Sequence, residues 1–144
     1  MSTRLVSFGF KYGTPVDADL ILDVRFLPNP FFVAALRPLT GLDTSVKEFL
    51  DALADVGLFI EKAVGLLDFL LPRYEREGKS YLTVGIGCTG GRHRSVALTE
   101  TIASRVAATT GLKISVAHRD IDKDAGLYIA EPAGATPSKP GGAP

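Results

Sequence analysis

Apolar residues follow two different periods along the chain, and these predict its elements. Arg4 to Phe10 alternates and reads as a first strand. Asp19-Leu-Ile-Leu-Asp-Val24 is nearly continuous, which predicts a central strand covered on both faces. Tyr81 to Ile86 reads as a short buried strand, and Leu112 to Ala117 alternates as a last one. Between them the period lengthens. Ser45-Val-Lys-Glu48 is a capping box opening a helix with Phe49, Leu50, Leu53 and Val56 on one face, and Gly57 is the expected break. A second helix is expected from about Leu58 to Glu77, with Ile60, Ala63, Val64, Leu67 and Leu71 facing the core. Pro72 should kink or end it, and Gly78 should stop it. A third follows from Ser95 to about Ala108. This order predicts a single α/β domain: a small central sheet of about four strands flanked by helices.

Two stretches break the pattern. Phe26 to Asp43 holds three prolines and almost no periodicity, yet it is hydrophobic. An ordered loop folded over the strand ends fits it better than disorder. From Asp124 onward the chain is mainly Ala, Gly, Pro, Ser and Thr. The expected organisation is therefore a domain over 1–123 and a flexible tail over 124–144.

Composition narrows the class. Of 144 residues, 46% are apolar and 22% charged, ordinary values for a soluble globular chain. The single cysteine excludes an internal disulfide and multi-cysteine metal sites, and two histidines are thin support for zinc, so no metal or cofactor is expected. There is no signal-peptide pattern at the N-terminus and no apolar run of membrane-spanning length, which points to the cytoplasm and no membrane partner. The net charge is zero, and residues 120–144 carry two lysines against four acidic residues. That is not the basic footprint of a dedicated nucleic-acid binder.

The chemistry concentrates where the third strand turns into the third helix. Gly85-Ile-Gly-Cys-Thr-Gly-Gly-Arg-His-Arg-Ser95 is a glycine-rich turn that brings backbone N–H groups and a positive helix end together at the sheet's C-terminal edge. Arg92 and Arg94 add donors suited to phosphate. The glycines match a dinucleotide fingerprint, but no acidic residue follows about 20 positions on. A Walker A loop fails because Gly91 precedes Arg92-His93 rather than Lys-Ser/Thr. Cys88, five residues, Arg94 and Ser95 give the Cys-x5-Arg-Ser/Thr spacing of cysteine-dependent phosphatases, in which a thiolate attacks a cradled phosphate. Under that reading Cys88 is the nucleophile and Asp23 or Asp120 the candidate acid. Under the plainer one Cys88 only lines an anion pocket. Arg25 at the end of the second strand, Arg37 in the proline-rich loop, and His118 and Arg119 at the end of the last strand are further candidates. His118-Arg119-Asp120 also spells a kinase catalytic loop, but no other kinase element is present.

Three segments together carry a family likeness: Asp23-Val-Arg-Phe-Leu-Pro-Asn-Pro30, Leu36-Arg-Pro-Leu-Thr-Gly-Leu-Asp43 and Gly85 to Ser95, closing with His118-Arg-Asp. The set resembles the C-terminal domain of the RapZ family, the bacterial RNase adaptor proteins, over roughly residues 4–123. The resemblance implies an α/β domain that senses an amino-sugar phosphate, glucosamine-6-phosphate, through a phosphate cradle. It also implies that the domain oligomerises and, in full-length relatives, binds a small regulatory RNA and presents it to an endonuclease. By motif, the ligand-binding positions are Cys88, Thr89, Gly90, Gly91, Arg92, His93 and Arg94, with Asp23 and Arg25 facing them.

Three departures qualify the likeness. Relatives carry an N-terminal nucleotide-binding domain with a Walker A loop that this sequence lacks, so its ATP or GTP binding is not carried over. Relatives commonly have His after Leu-Pro-Asn-Pro where this chain has Phe31. RNA-binding relatives end in a Lys/Arg-rich run where this chain has Asp120-Ile-Asp-Lys-Asp124. That reversal removes phosphate contacts and counts against RNA as a partner. The expectation is a stand-alone sensing module for a phosphorylated small molecule, with a Cys88-dependent phosphatase as the alternative.

Overall fold

The structure, a computed structural model, describes residues 1–128. Strands β1 (Ser2–Gly9), β2 (Leu20–Asp23), β3 (Tyr81–Cys88) and β4 (Ile114–His118) form one sheet in the order β2-β3-β1-β4. Every pairing is parallel, with Gly9 opposite Cys88, Asp23 opposite Gly87 and Ser7 opposite His118. The C-terminal ends of all four strands therefore share one edge. Three helices flank the sheet: α1 (Thr44–Asp51), α2 (Ala54–Glu77) and α3 (Arg94–Thr110). Their buried residues, among them Val46, Ile60, Leu67 and Ile102, share one core cluster with Leu5, Leu82, Val84 and Ile86. The other face of the sheet is roofed by side chains, with Phe8, Phe10 and Ile21 lying over Gly85 and Gly87.

β2 departs from expectation. It is an edge strand, not a central one covered twice, and its residues alternate between half-buried and exposed. Leu20 and Leu22 pack on the core while Ile21 is 38% exposed. The apolar run looked continuous because Val24 and Leu27, just past the strand, are buried as loop residues.

The helix boundaries also differ. α1 starts at Thr44 after Asp43, and the expected Ser45–Glu48 capping box is not formed. The Asp43 carboxylate instead accepts the Thr40 N–H at 2.8 Å, tying off the preceding loop. The break between the helices falls at Ala52–Leu53, and Gly57 lies inside α2. Pro72 also lies inside α2, which continues to Glu77 and stops at Gly78 in the left-handed region. The proline-rich stretch 26–43 is an ordered loop with one 3₁₀ turn at Pro30–Phe32. Of the tail expected over 124–144, Ala125–Tyr128 forms a 3₁₀ turn, and residues 129–144 lie outside the described residues.

Candidate functional site

At the shared C-terminal edge, β3 turns into α3 through Thr89–His93, and the 26–43 loop closes over the turn. Three consecutive basic side chains on the turn hold that loop by its carbonyl oxygens. Arg94 donates from one guanidinium nitrogen to the Arg25 and Leu27 carbonyls at 3.0 and 2.8 Å, and from the other to Thr89 Oγ1 at 3.3 Å. His93 donates its Nε2–H to the Leu36 and Arg37 carbonyls at 3.1 and 3.2 Å. Arg92 donates to the Ile121 and Pro38 carbonyls. In return the Gly41 N–H donates to the Arg92 carbonyl at 2.8 Å. Arg92, His93 and Arg94 are all buried. The sequence places these three residues as ligand contacts; in the structure they also build the wall of the site.

The floor of the turn comes from β1 and the segment after β4. Gly9 lies backbone to backbone against Gly90 and Gly91, and Gly91 has φ +77°. The Gly9 N–H donates to Asp120 Oδ2 at 2.8 Å. Asp120 is fully buried, and Arg119 and Lys123 pair with its oxygens at 2.8 and 2.7 Å. Although burial pushes its pKa up, these donors together hold it below the usual carboxylate value. Cys88 closes β3, is 3% exposed, and points its Sγ–H at Ser95 Oγ, 3.1 Å away on α3. Thr89 is the one half-exposed residue of the segment 84–99.

The remaining candidates sit around this centre. Asp23 and Arg25 form a bidentate pair at the mouth, Arg25 Nη2 lying 2.7 Å from Asp23 Oδ2, and the Arg25 guanidinium stacks 3.9 Å above the Phe10 ring. Arg25 holds the Asp23 carboxyl below its ordinary pKa. Arg37 is buried within its own loop, donating Nε–H to the Phe31 carbonyl at 2.9 Å. Phe31 is itself buried against Phe32 and the Arg37 guanidinium. His118 bonds Ser7 Oγ through Nδ1 at 2.7 Å and faces Glu100 on α3. Arg119 reaches Asp120 and the Gly13 carbonyl. The edge thus brings together Asp23, Arg25 and residues 88–94, while Arg37 and His118 serve neighbouring contacts.

Sequence reasoning missed Gly9, Phe10 and Ser95 as parts of this site. The sequence places Gly9 only within the first strand, Arg4 to Phe10; a glycine ending one parallel strand beside a glycine turn ending its neighbour is the signal that marks it. Ser95 was visible as the last letter of the Cys-x5-Arg-Ser spacing.

Electrostatically the turn is a positive pole. The N–H groups of Gly90 and Gly91 have no backbone acceptor among the described residues and stand at the head of the 17-residue α3. Arg94, 3% exposed, hydrogen bonds to the Arg25, Leu27 and Thr89 oxygens and makes no ion pair among the described residues; its Nε has no partner there. Burial lowers its pKa, with the Cys88 thiol as the foremost counterweight. Burial also pushes His93 down to about 4, so it is neutral at pH 7. An unpaired buried cation beneath free N–H groups is an arrangement that an anion completes.

A family model described as the RapZ C-terminal domain matches residues 1–122. A nucleotide-binding protein of Trichlorobacter lovleyi is 57% identical over 85% of this chain. Others from Sorangium cellulosum and Oceanobacillus iheyensis are 51% and 55% identical over 97% and 85% of it. The chain spans only 42%, 44% and 41% of these three relatives' lengths.

Proposed function

The chain belongs to the RapZ C-terminal domain family, and on that premise we propose that it is a cytoplasmic binding and sensing module for a phosphorylated small molecule, with glucosamine-6-phosphate as the ligand. The observation that carries the reading is Arg94: a buried guanidinium with no carboxylate partner among the described residues, beside the open N–H groups of Gly90 and Gly91. A phosphate supplies both the missing negative charge and the acceptors. In this reading the half-exposed Asp23–Arg25 pair at the mouth meets the sugar, Asp23 taking the ammonium or a hydroxyl. The relatives' name, nucleotide-binding protein, fits a phosphate-bearing ligand, but the chain covers under half of them and their nucleotide is not transferred. RNA is left out of the reading, because Asp120, Asp122 and Asp124 stand where a phosphate-binding run would need Lys and Arg.

Calorimetric titration with glucosamine-6-phosphate, glucose-6-phosphate and inorganic phosphate tests it. The amino sugar should bind tightest, and Arg94→Ala should lose all three. Equal weak binding of all three reduces the site to a generic anion cradle.

One observation favours a second reading. The serine that follows Arg94 touches the Cys88 sulfur, as a phosphatase would need to stabilise a thiolate. Against it, Arg94 is turned onto loop carbonyls, Asp120 is locked by its donors, and Asp23 is paired with Arg25, which holds its carboxyl ionised rather than poised to protonate a leaving group.

A further inference from the structure

All three helices pack on one face of the sheet, through the core that holds Leu5, Leu82, Val84 and Ile86. Parallel sheets are ordinarily covered on both faces. Here the other face carries the β1–β2 connection, residues 10–19, whose only regular piece is the 3₁₀ turn Phe10–Tyr12. Near the C-terminal edge Phe8, Phe10 and Ile21 shield that face. Toward the N-terminal ends of the strands it holds a cavity of about 460 Å³. Arg4, which alternates with the core residue Leu5, lines it between Thr83 of β3 and Ser115 of β4. Tyr81, 76% exposed, lies two residues before Thr83, and Asp17 and Asp19 of the connection wall the cavity. The two carboxylates differ. Asp19 is satisfied, pairing with Lys79 at 2.8 Å and accepting the Thr83 N–H at 2.9 Å. Asp17 and Arg4 make no hydrogen bond, ion pair or ring contact among the described residues. A guanidinium and a carboxylate thus share one cavity without closing on each other.

We propose that this cavity is a second ligand site, for a free α-amino acid whose carboxylate meets Arg4 and whose ammonium meets Asp17. The argument is charge complementarity. A guanidinium offers a carboxylate two parallel donors, and a carboxylate is the natural acceptor for an ammonium. A simple anion would satisfy Arg4 but be repelled by Asp17, and a simple cation would meet the reverse. Only a zwitterion answers both, so the pair selects against phosphate as well as for the amino acid. The exposed Tyr81 ring gives an apolar side chain a surface to lie on, and the Thr83 and Ser115 hydroxyls supply polar contacts beside Arg4. The volume suits a small molecule. The site is separate from the anion cradle. Arg4 stands five residues before Gly9 on the same strand, a distance of about 17 Å along β1.

A thermal-shift screen of the whole chain against the twenty L-amino acids, with calorimetry on those that stabilise it, tests the proposal. At least one amino acid with an apolar side chain should bind. Its amide, which lacks the carboxylate, and its N-acetyl derivative, which lacks the ammonium, should each bind at least about tenfold more weakly. The variants should divide the two contacts. Arg4→Gln should bind the amino acid no better than its amide, and Asp17→Asn should bind it no better than its N-acetyl derivative. Both side chains are exposed, so both variants should melt close to wild type. Saturating inorganic phosphate, which addresses the turn at residues 88–94, should not displace the amino acid. A chain that none of the twenty stabilises, or binding that ignores the loss of either charge, would overturn the proposal. So would binding that phosphate displaces and Arg4→Gln leaves intact, because the amino acid would then sit in the cradle.

Discussion

Gly9 and Gly91 meet backbone to backbone, so the end of β1 and the turn into α3 behave as one unit. A Cβ added to Gly91 would lie 2.6 Å from the Gly9 nitrogen, and one added to Gly9 would lie 2.4 Å from the Gly90 carbonyl carbon. Neither backbone can retreat. Gly9 is held by the ladder to Cys88 and by its N–H bond to the buried Asp120, whose own Cβ is against Gly91.

Gly9→Ala should therefore destabilise the fold by about 1–3 kcal/mol, the usual cost of overpacking. Gly91→Ala should cost more, because φ +77° is unfavourable for any residue with a Cβ. Urea denaturation gives the stability of each variant, and phosphate titration of the folded fraction gives the site. Anion affinity should fall with both. A Gly9→Ala protein with unchanged stability would show that the contact is not tight.

Arg94→Met separates the two jobs of that side chain. Removing the guanidinium leaves the buried Leu27 carbonyl without its donor, which should cost about 1–3 kcal/mol. It should also remove the stabilisation that millimolar phosphate gives the wild type. The check is a thermal shift with and without phosphate: wild type should shift and Arg94→Met should not. An equal shift in both would place the anion elsewhere.

The strand–turn–helix was legible because glycine spacing, a short apolar strand and a clear helical period all fell within residues 81–108. The helix ends and the place of β2 were not legible, for identifiable reasons. Ser45 and Glu48 have the letters of a capping box, but Asp43 stands two residues earlier and α1 begins directly after it. Gly57 looked like a break, yet Val56 and Ile60 on either side are drawn into the core, so tertiary packing keeps the helix intact. Within the site, the letters identified Arg92, His93 and Arg94 as donors but not their acceptors. Carbonyl oxygens of the 26–43 loop, and those of Arg25 and Ile121 beside it, take those bonds, and a main-chain acceptor has no side-chain signature.

Cys88→Ser decides between binding and turnover. If the chain only binds its ligand, Cys88→Ser should keep anion affinity within about threefold, since the N–H groups and Arg94 are untouched. Wild type should then show no hydrolysis of an aryl phosphate. Turnover in wild type that vanishes in Cys88→Ser would establish the thiol as nucleophile, with Ser95 as the hydroxyl that supports it.

His93 should make the protein acid-sensitive above the range where most carboxylates titrate. Its native pKa is pushed down to about 4 by burial, against an ordinary value of 6.5. Above about pH 6.5 both native and unfolded chains hold it neutral, and it gives no pH dependence. Between 6.5 and 4 the unfolded chain takes up a proton that the native chain refuses, so stability falls as pH falls. The slope approaches about 1.4 kcal/mol per pH unit. His118, lowered by burial, has the same sign, whereas Asp120, held low, loses its contribution only below the ordinary carboxylate value of 3.8. Subtracting a His93→Gln series from wild type isolates the His93 part, because Gln can still donate to the Leu36 and Arg37 carbonyls without titrating. Urea denaturation at half-unit steps from pH 7 to 4 is the measurement. The wild-type curve should fall more steeply than the variant's below pH 6.5. Parallel curves would mean that His93 takes up its proton in the folded state, at Nδ1, with its Nε2–H bonds to the 26–43 loop kept.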